Sequence, residues 1–96
     1  MKVYRVCISK FAAKQLKKLP KEILEHVRYW QRAVELEGLI EVRKLSGYHD
    51  EPLKGDRKGQ RSIRLNRSWR LIYIEDLSSE ELVIEVLIVE VNKHEY

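Results

Sequence analysis

Residues 60–75, QRSIRLNRSWRLIYIE, decide the fold of this chain. Four arginines recur in it at every third position: Arg61, Arg64, Arg67 and Arg70. A helix would gather these cations loosely on one side. The turn-forming residues Asn66 and Ser68 interrupt the stretch, however, and the residues after them are rich in β-branched and aromatic types. The stretch therefore predicts two antiparallel strands, residues 60–65 and 69–75, joined by a turn.

Strand geometry separates the roles of these arginines. Successive side chains of a strand point to opposite faces, so Arg61 and Arg64 are expected on different faces of the sheet. Arg64 and Arg70 lie symmetrically about the turn. We expect them to approach each other across the hairpin if both side chains point to the open face of the sheet.

The N-terminal part predicts a strand followed by two helices. Residues 3–9, VYRVCIS, are rich in β-branched and aromatic residues, which favours a strand. Ser9 can cap a first helix, which Pro20 ends. Apolar residues recur at helical spacing along residues 21–37, and Gly38 supplies the stop for this second helix. The short link at Pro20 predicts a helical hairpin.

The rest of the chain predicts a sheet. Residues 39–56 show no regular spacing of apolar residues, which predicts a loop with a short extra strand near Leu53. Residues 82–91, LVIEVLIVEV, are apolar almost throughout, which predicts a central strand covered on both faces. The order β-α-α-β-β-β predicts an α+β fold, in which the helical hairpin packs on a small, antiparallel-rich twisted sheet. We expect a single domain spanning residues 1–96.

The positive charge is concentrated in residues 53–70. This stretch holds seven cations and one anion, Asp56, so its local charge is +6 in a chain whose net charge is +4. Everything outside it sums to about −2 (4 − 6 = −2). Clustered arginine and lysine suit a polyanion, because neutralised phosphates release counterions and arginine grips phosphate bidentately. RNA or DNA is the predicted partner, and a solvated charged surface is the alternative interpretation.

Other classes of protein fit the sequence less well. No run approaches the roughly 18 apolar residues that span a membrane, and the N-terminus lacks a signal-peptide pattern. The single Cys7 forms no internal disulfide, which favours a reducing, cytoplasmic setting. The three histidines show no zinc-like spacing with Cys7, so neither a metal site nor a cofactor is expected.

The C-terminal residues 92–96, NKHEY, add the groups needed to cleave RNA without a metal. In that reaction a base removes the proton from a ribose 2′-OH, the oxygen attacks the adjacent phosphorus, and an acid protonates the departing 5′-oxygen. His94 suits proton transfer, since the pKa of histidine lies near neutrality. Arg64, Arg70 and Lys54 suit stabilisation of the developing charge. A solvated tail is the alternative interpretation of these last residues.

The basic stretch and the C-terminal residues together resemble a known protein family. YHDEPLKGDRKGQRSIRLNRSWRLIY (residues 48–73), followed by a strand ending VNKHEY, resembles the RelE/HigB branch of bacterial type II toxins, in the RelE/ParE superfamily. The resemblance implies a ribosome-dependent mRNA endonuclease that cuts the codon exposed in the A site. It also implies three partners, which are the 70S ribosome, mRNA and a cognate antitoxin, the last often of helix-turn-helix type.

The resemblance assigns roles to matching positions. Lys54 corresponds to a catalytic lysine, Arg70 to the arginine of active toxins, and Arg64 to a basic residue of the preceding strand. His94 and Tyr96 match the terminal proton-transfer and base-stacking region. Contacts with RNA or the ribosome are expected from a further set: Lys14, Lys17, Lys18, His49, Arg57, Lys58, Arg61 and Arg67. Two alternatives stay open, a ParE-like gyrase inhibitor and a non-catalytic module that binds antitoxin or RNA.

Overall fold

A computed structural model describes residues 3–76 and 83–93 of the chain. Within these residues five strands form one sheet in the order β1-β5-β4-β3-β2. Their bounds are β1 Val3–Ile8, β2 Glu51–Pro52, β3 Arg61–Arg64, β4 Trp69–Asp76 and β5 Val83–Lys93. β1 lies parallel to β5, and the other neighbouring pairs are antiparallel. The meander of the last three strands and the short extra strand near Leu53 are therefore confirmed.

Three helices connect the first strand to the meander in the described part of the chain: α1 Lys10–Leu16, α2 Lys21–Glu37 and α3 Leu39–Arg43. The Ser9 hydroxyl caps α1 by accepting from the Ala12 N–H at 3.0 Å. α1 ends earlier than the pattern up to Pro20 predicted, because tighter bonds such as Leu19 N–H to Leu16 O close its last turn.

The prediction of a loop over residues 39–56 is wrong in its first part, because α3 forms there. Gly38 turns the chain sharply out of α2 with φ 86°, a conformation that glycine adopts without strain. Its missing side chain also admits the Tyr4 ring, since an added Cβ would lie 2.9 Å from Tyr4 Cε2. Leu39 and Val42 of α3 are then buried, so tertiary packing stabilises a helix too short to show periodicity.

The hydrophobic core lies between the helices and one face of the sheet. α2 buries the apolar residues whose spacing predicted it: Ile23, Val27, Trp30 and Val34. The Trp30 ring packs against Tyr73 of β4 with ring centroids 5.0 Å apart. α1 packs chiefly on β5 and α2 on β1. These contacts give the α+β architecture expected from the element order.

β5 is an interior strand, between β1 and β4, but the expectation that both its faces are covered is wrong. Val86, Ile88 and Val91 are buried in the core, whereas Glu85 is exposed and Leu87 half-buried. The alternation arises because the helices pack on one face of the sheet only. No helix in residues 3–76 or 83–93 is long and apolar enough to cross a membrane.

The other sheet face, which α1–α3 leave uncovered, is called the open face below. Ile63, Leu71 and Val91 point into the core on the helix side. By alternation, their strand neighbours point the other way. Near the β3–β4 hairpin the open face therefore comprises Ser62, Arg64, Arg70, Ile72, Glu90 and Asn92.

Candidate active site

Arg64 and Arg70 lie directly opposite each other on β3 and β4. Residues in such a pair have their Cβ atoms about 4.5–5.5 Å apart on the same face. The Arg70 Nη1 group donates to the carbonyl oxygens of Asn66 at 3.0 Å and Trp69 at 3.2 Å. Arg64 Nε is buried and has no hydrogen-bond partner among the described residues. The two arginines are therefore cross-strand partners in the hairpin, and the approach of their side chains stays a prediction.

The turn between β3 and β4 fixes this register. Asn66 Oδ1 accepts hydrogen bonds from the backbone N–H of Ser68 at 2.8 Å and of Trp69 at 2.9 Å. The Leu65 N–H donates to Trp69 O at 2.9 Å and closes the hairpin. An asparagine side chain that satisfies two amides in this way is a strong local turn signal. The turn therefore places the two arginines opposite each other.

The neighbouring strand β5 places two more polar residues beside the arginine pair. Asn92 of β5 is the cross-strand partner of Arg70, and Glu90 is the partner of Ile72. The Glu90 carboxylate accepts from Arg57 Nη2 at 2.8 Å and from the Asn92 amide. Partial burial raises the pKa of Glu90, but the hydrogen bonds from Arg57 and Asn92 outweigh it, so the pKa lies below its ordinary value. Glu90 is thus an ionised carboxylate within a basic site.

The loop that precedes β3 carries Lys54 and Lys58, both exposed. The Leu53 N–H donates to Gln60 O at 2.9 Å and closes the loop, while Arg57 Nε donates to Gln60 Oε1 at 2.9 Å. Because Arg57 also reaches Glu90, the loop is connected to the open face by a side chain. Arg57 is therefore held at the surface in an ion pair with Glu90, with its side chain 41% exposed, and its predicted contact with RNA stays a prediction.

Arg61 points to the opposite side of the sheet from Arg64, as alternation predicted. Its Nε donates at 2.6 Å to Asp50, whose side chain is only 1% exposed. The Tyr73 hydroxyl donates to the other Asp50 oxygen at 2.5 Å, and Arg43 bonds both Tyr73 and, at 2.8 Å, Glu75. Burial and the bond to Asp50 raise the pKa of Tyr73. This network ties the segment before β2 to the sheet.

The remaining predicted residues are dispersed. His49 is exposed in a left-handed conformation, with φ 46°, next to buried Asp50. Lys14, Lys17 and Lys18 are exposed on or just after α1, which packs on the side of the sheet away from the open face. Arg67 is exposed at the hairpin turn. Two of the predicted catalytic residues lie outside the described residues: His94 and Tyr96.

Asp50, Glu90 and Asn92 were missed by the sequence predictions. Glu90 and Asn92 flank buried Val91 and therefore alternate with it, a signal that marks one polar face at the end of an apolar strand. Asp50 lies in a loop-like segment, and no local signal predicts that three distant partners bury it. Cys, His, Asp and Glu side chains form no group able to hold a metal ion within residues 3–76 and 83–93.

No family model and no curated protein sequence matches the chain. Solved structures do match it over almost its whole length. A chain of the toxin–antitoxin complex RelBE2 from Mycobacterium tuberculosis is 26% identical, with 96% of this chain and 99% of that chain covered and a TM-score of 0.64. A chain of the archaeal RelE–RelB complex from Pyrococcus horikoshii OT3 is also 26% identical, with 95% and 94% covered and a TM-score of 0.67.

A third neighbour is a chain of the DinJ–YafQ toxin–antitoxin complex from E. coli. It is 20% identical, with 95% of this chain and 92% of that chain covered and a TM-score of 0.70. At this identity the likeness concerns the fold. The three neighbours share their fold with this chain over at least 92% of each chain.

Proposed function

We propose that this chain, which has the fold of the RelE/ParE-superfamily toxins, is the toxin of a type II toxin–antitoxin system. Its activity is that of an endoribonuclease that cuts mRNA at the codon in the ribosomal A site. The reaction is an attack by the ribose 2′-OH on the adjacent phosphorus without a metal ion. The toxin acts in the cytoplasm, on mRNA bound to the 70S ribosome.

The observation that carries this proposal is the Arg64–Arg70 pair on the open face. Two arginines at cross-strand positions on one face suit an anion that both side chains can reach. A phosphodiester under attack gains negative charge on its non-bridging oxygens, and arginines held in place by a rigid hairpin stabilise that charge. Arg64 Nε, buried without a partner in the described structure, is a donor available to such an oxygen.

The remaining roles follow from the order of the chain. β5 runs to Lys93 at the edge of the arginine pair, so His94 is the next residue after the described strand. We assign proton transfer to His94 and stacking on a base of the codon to Tyr96. Lys54 adds positive charge from the loop before β3. Exposed Lys14, Lys17, Lys18, Lys58 and Arg67 supply sequence-independent affinity for ribosomal RNA.

The proposed partner in the silent state is a cognate antitoxin, of helix-turn-helix type in the HigB-like branch. Two of the solved neighbours come from complexes described as toxin–antitoxin complexes, and a third from a RelE–RelB complex. An antitoxin that covers the basic open face would neutralise the charge that binds RNA. We expect its acidic residues to face Arg64 and Arg70.

The test is cleavage of a defined mRNA on purified ribosomes programmed with a known A-site codon, mapped by primer extension. The same mRNA without ribosomes is the control for the ribosome requirement. Cuts confined to the A-site codon on the ribosome support the proposal. Cleavage of free RNA with equal efficiency, or none in either case, would refute it.

Two matched variants assign the site. Arg70→Ala should lower kcat by about 10²-fold or more, the scale on which one preorganised electrostatic group contributes. Arg32→Ala removes the same charge from an exposed position of α2, on the other side of the sheet, and should leave cleavage unchanged. Equal activity of both variants would show that bulk charge, and not the hairpin site, is responsible.

The alternatives have their own outcomes in this experiment. The likeness to RelE and YafQ structures does not favour the gyrase-inhibitor alternative. A supercoiling assay with purified gyrase tests it directly, and inhibition without RNA cleavage would establish it. A non-catalytic module would bind ribosomes or antitoxin with Arg70→Ala and parent alike and would cut nothing.

A further inference from the structure

We infer that Glu90 is a positioning residue, which holds the loop of residues 53–60 against the open face through Arg57 and thereby places Lys54 for cleavage. This inference rests on the proposed function and extends it to a carboxylate that the sequence predictions did not include. The geometry that carries it is a side-chain bridge from β5 to the loop between β2 and β3.

The loop is closed on itself by backbone hydrogen bonds. The Leu53 N–H donates to Gln60 O at 2.9 Å, the Lys58 N–H to Gly55 O at 3.1 Å and the Gln60 N–H to Arg57 O at 3.0 Å. These bonds define the shape of the loop. The pairing of β2 with β3 places the two ends of the loop, whereas the middle of the loop, which carries Arg57, is joined to β5 by a side chain.

The Glu90 side chain supplies that connection. It accepts from Arg57 Nη2 at 2.8 Å, while Arg57 Nε donates to Gln60 Oε1 at 2.9 Å. The Arg57 guanidinium therefore joins Glu90 of β5 to Gln60 at the end of the loop. Asn92, the cross-strand partner of Arg70, donates to the second Glu90 oxygen. The carboxylate therefore links the loop that carries Lys54 to the strand that lies beside the arginine pair.

An anion within a phosphate-binding site demands an explanation. By simple electrostatics Glu90 weakens RNA binding, because it repels phosphate and occupies Arg57. Hydrogen bonds from two donors keep it ionised, in agreement with its lowered pKa. A residue that opposes binding but fixes geometry is expected to favour the chemical step at the expense of affinity.

The experiment compares Glu90→Gln with Glu85→Gln in the ribosome cleavage assay. Glu85 is on the same strand, about 16 Å away at roughly 3.3 Å per residue, and on the same face, because the register shift between Ile72 and Tyr73 adds one residue to β5. Among the described residues its ion pair is an exposed 3.9 Å contact with Arg5. Both variants remove one negative charge. We expect Glu90→Gln to lower kcat on the order of tenfold with KM unchanged or lowered, and Glu85→Gln to match the parent. An unchanged kcat in Glu90→Gln would overturn the inference.

A double-mutant cycle tests whether Glu90 acts through Arg57. In an Arg57→Ala background the bridge is already broken, so Glu90→Gln should have no further effect on kcat. If the two substitutions lower kcat independently, by the product of their single effects, the bridge is not the mechanism and the inference fails.

Amide hydrogen exchange separates this inference from the proposed function, since it needs no RNA. Exchange of the Leu53, Lys58 and Gln60 amides should be accelerated at least about threefold in Glu90→Gln and not in Glu85→Gln. Unchanged protection of these amides would refute the bridge even if the parent cleaves. If the parent cuts no RNA, the proposed function fails, and the exchange result alone decides whether Glu90 holds the loop.

Discussion

The network around Asp50 should dominate the stability of the segment that leads into β2. Asp50 is 1% exposed at its side chain and accepts from Arg61 at 2.6 Å and from Tyr73 at 2.5 Å. Asp50→Ala removes both acceptors and leaves the Arg61 charge without its partner. Hydrogen bonds to a charged group contribute about 1.5–3 kcal/mol each, which sets an upper range of roughly 3–6 kcal/mol.

Exposure of the cations reduces this figure. The Arg61 and Arg43 side chains are 28% and 27% exposed, so water can solvate each guanidinium once the carboxylate is gone. We therefore expect the lower end, about 3 kcal/mol, which corresponds to a fall in Tm of roughly 12–24 °C for a domain of this size. Asp50→Asn keeps one acceptor and should lose about half as much.

Urea unfolding followed by tryptophan fluorescence measures this directly, because Trp30 is buried against Tyr73. The control is Glu41→Ala, which removes an exposed carboxylate whose 3.1 Å ion pair with Lys44 contributes less than about 0.5 kcal/mol. If Asp50→Ala lowers the free energy of unfolding by no more than Glu41→Ala does, the argument that burial strengthens the Asp50 network is refuted.

Three further predictions concern other parts of the structure. Gly38→Ala should lower the free energy of unfolding by about 1–3 kcal/mol, since φ is +86° and its Cβ would meet the Tyr4 ring, whereas Gly47→Ala, in open space, should be neutral. The pKa of Glu90 is lowered in the folded protein, so its ionised carboxylate stabilises the fold at pH values above its ordinary pKa of 4.5. This contribution to the free energy of unfolding is lost as the pH falls through the pKa of Glu90 in the folded protein. Glu90→Gln should therefore lose less stability than the parent between about pH 5 and about pH 3 in urea titrations, and an equal loss would contradict this. Arg64→Gln should leave the unfolding free energy unchanged or raise it by up to about 1 kcal/mol, and a clear decrease would contradict the like-charge argument.

Elements with local signals were predicted from the sequence. α2 spans Lys21–Glu37 as its apolar spacing and the Gly38 stop predicted, because both signals act within the helix itself. The hairpin at residues 60–75 was predicted because Asn66 supplies a turn and the flanking residues alternate. The same alternation correctly assigned Arg61 and Arg64 to different faces.

Features that depend on distant partners were not predicted. The parallel pairing of β1 with β5 joins strands from opposite ends of the chain, and no local pattern specifies it. The one-sided burial of β5 follows from where the helices pack, which its apolar sequence does not reveal. Asp50 is polar and lies in a loop-like segment, yet three residues from other elements bury it. Catalytic roles stay predictions for all five residues to which they were assigned: Lys54, Arg64, Arg70, His94 and Tyr96.

The cross-strand positions of Arg64 and Arg70 suit the phosphate that the proposed function places there. Like charges directly opposite on antiparallel strands destabilise a sheet by roughly 0.2–1 kcal/mol, and a buried donor without an acceptor adds to that cost. The fold nevertheless enforces the arrangement, because Asn66 sets the turn and Leu71 and Ile63 fix the register from the core side. A phosphate between the guanidinium groups would remove the repulsion and accept from Arg64 Nε. Under the proposed function, stability and RNA cleavage oppose each other at Arg64, so Arg64→Gln is expected to preserve the fold and to abolish cleavage.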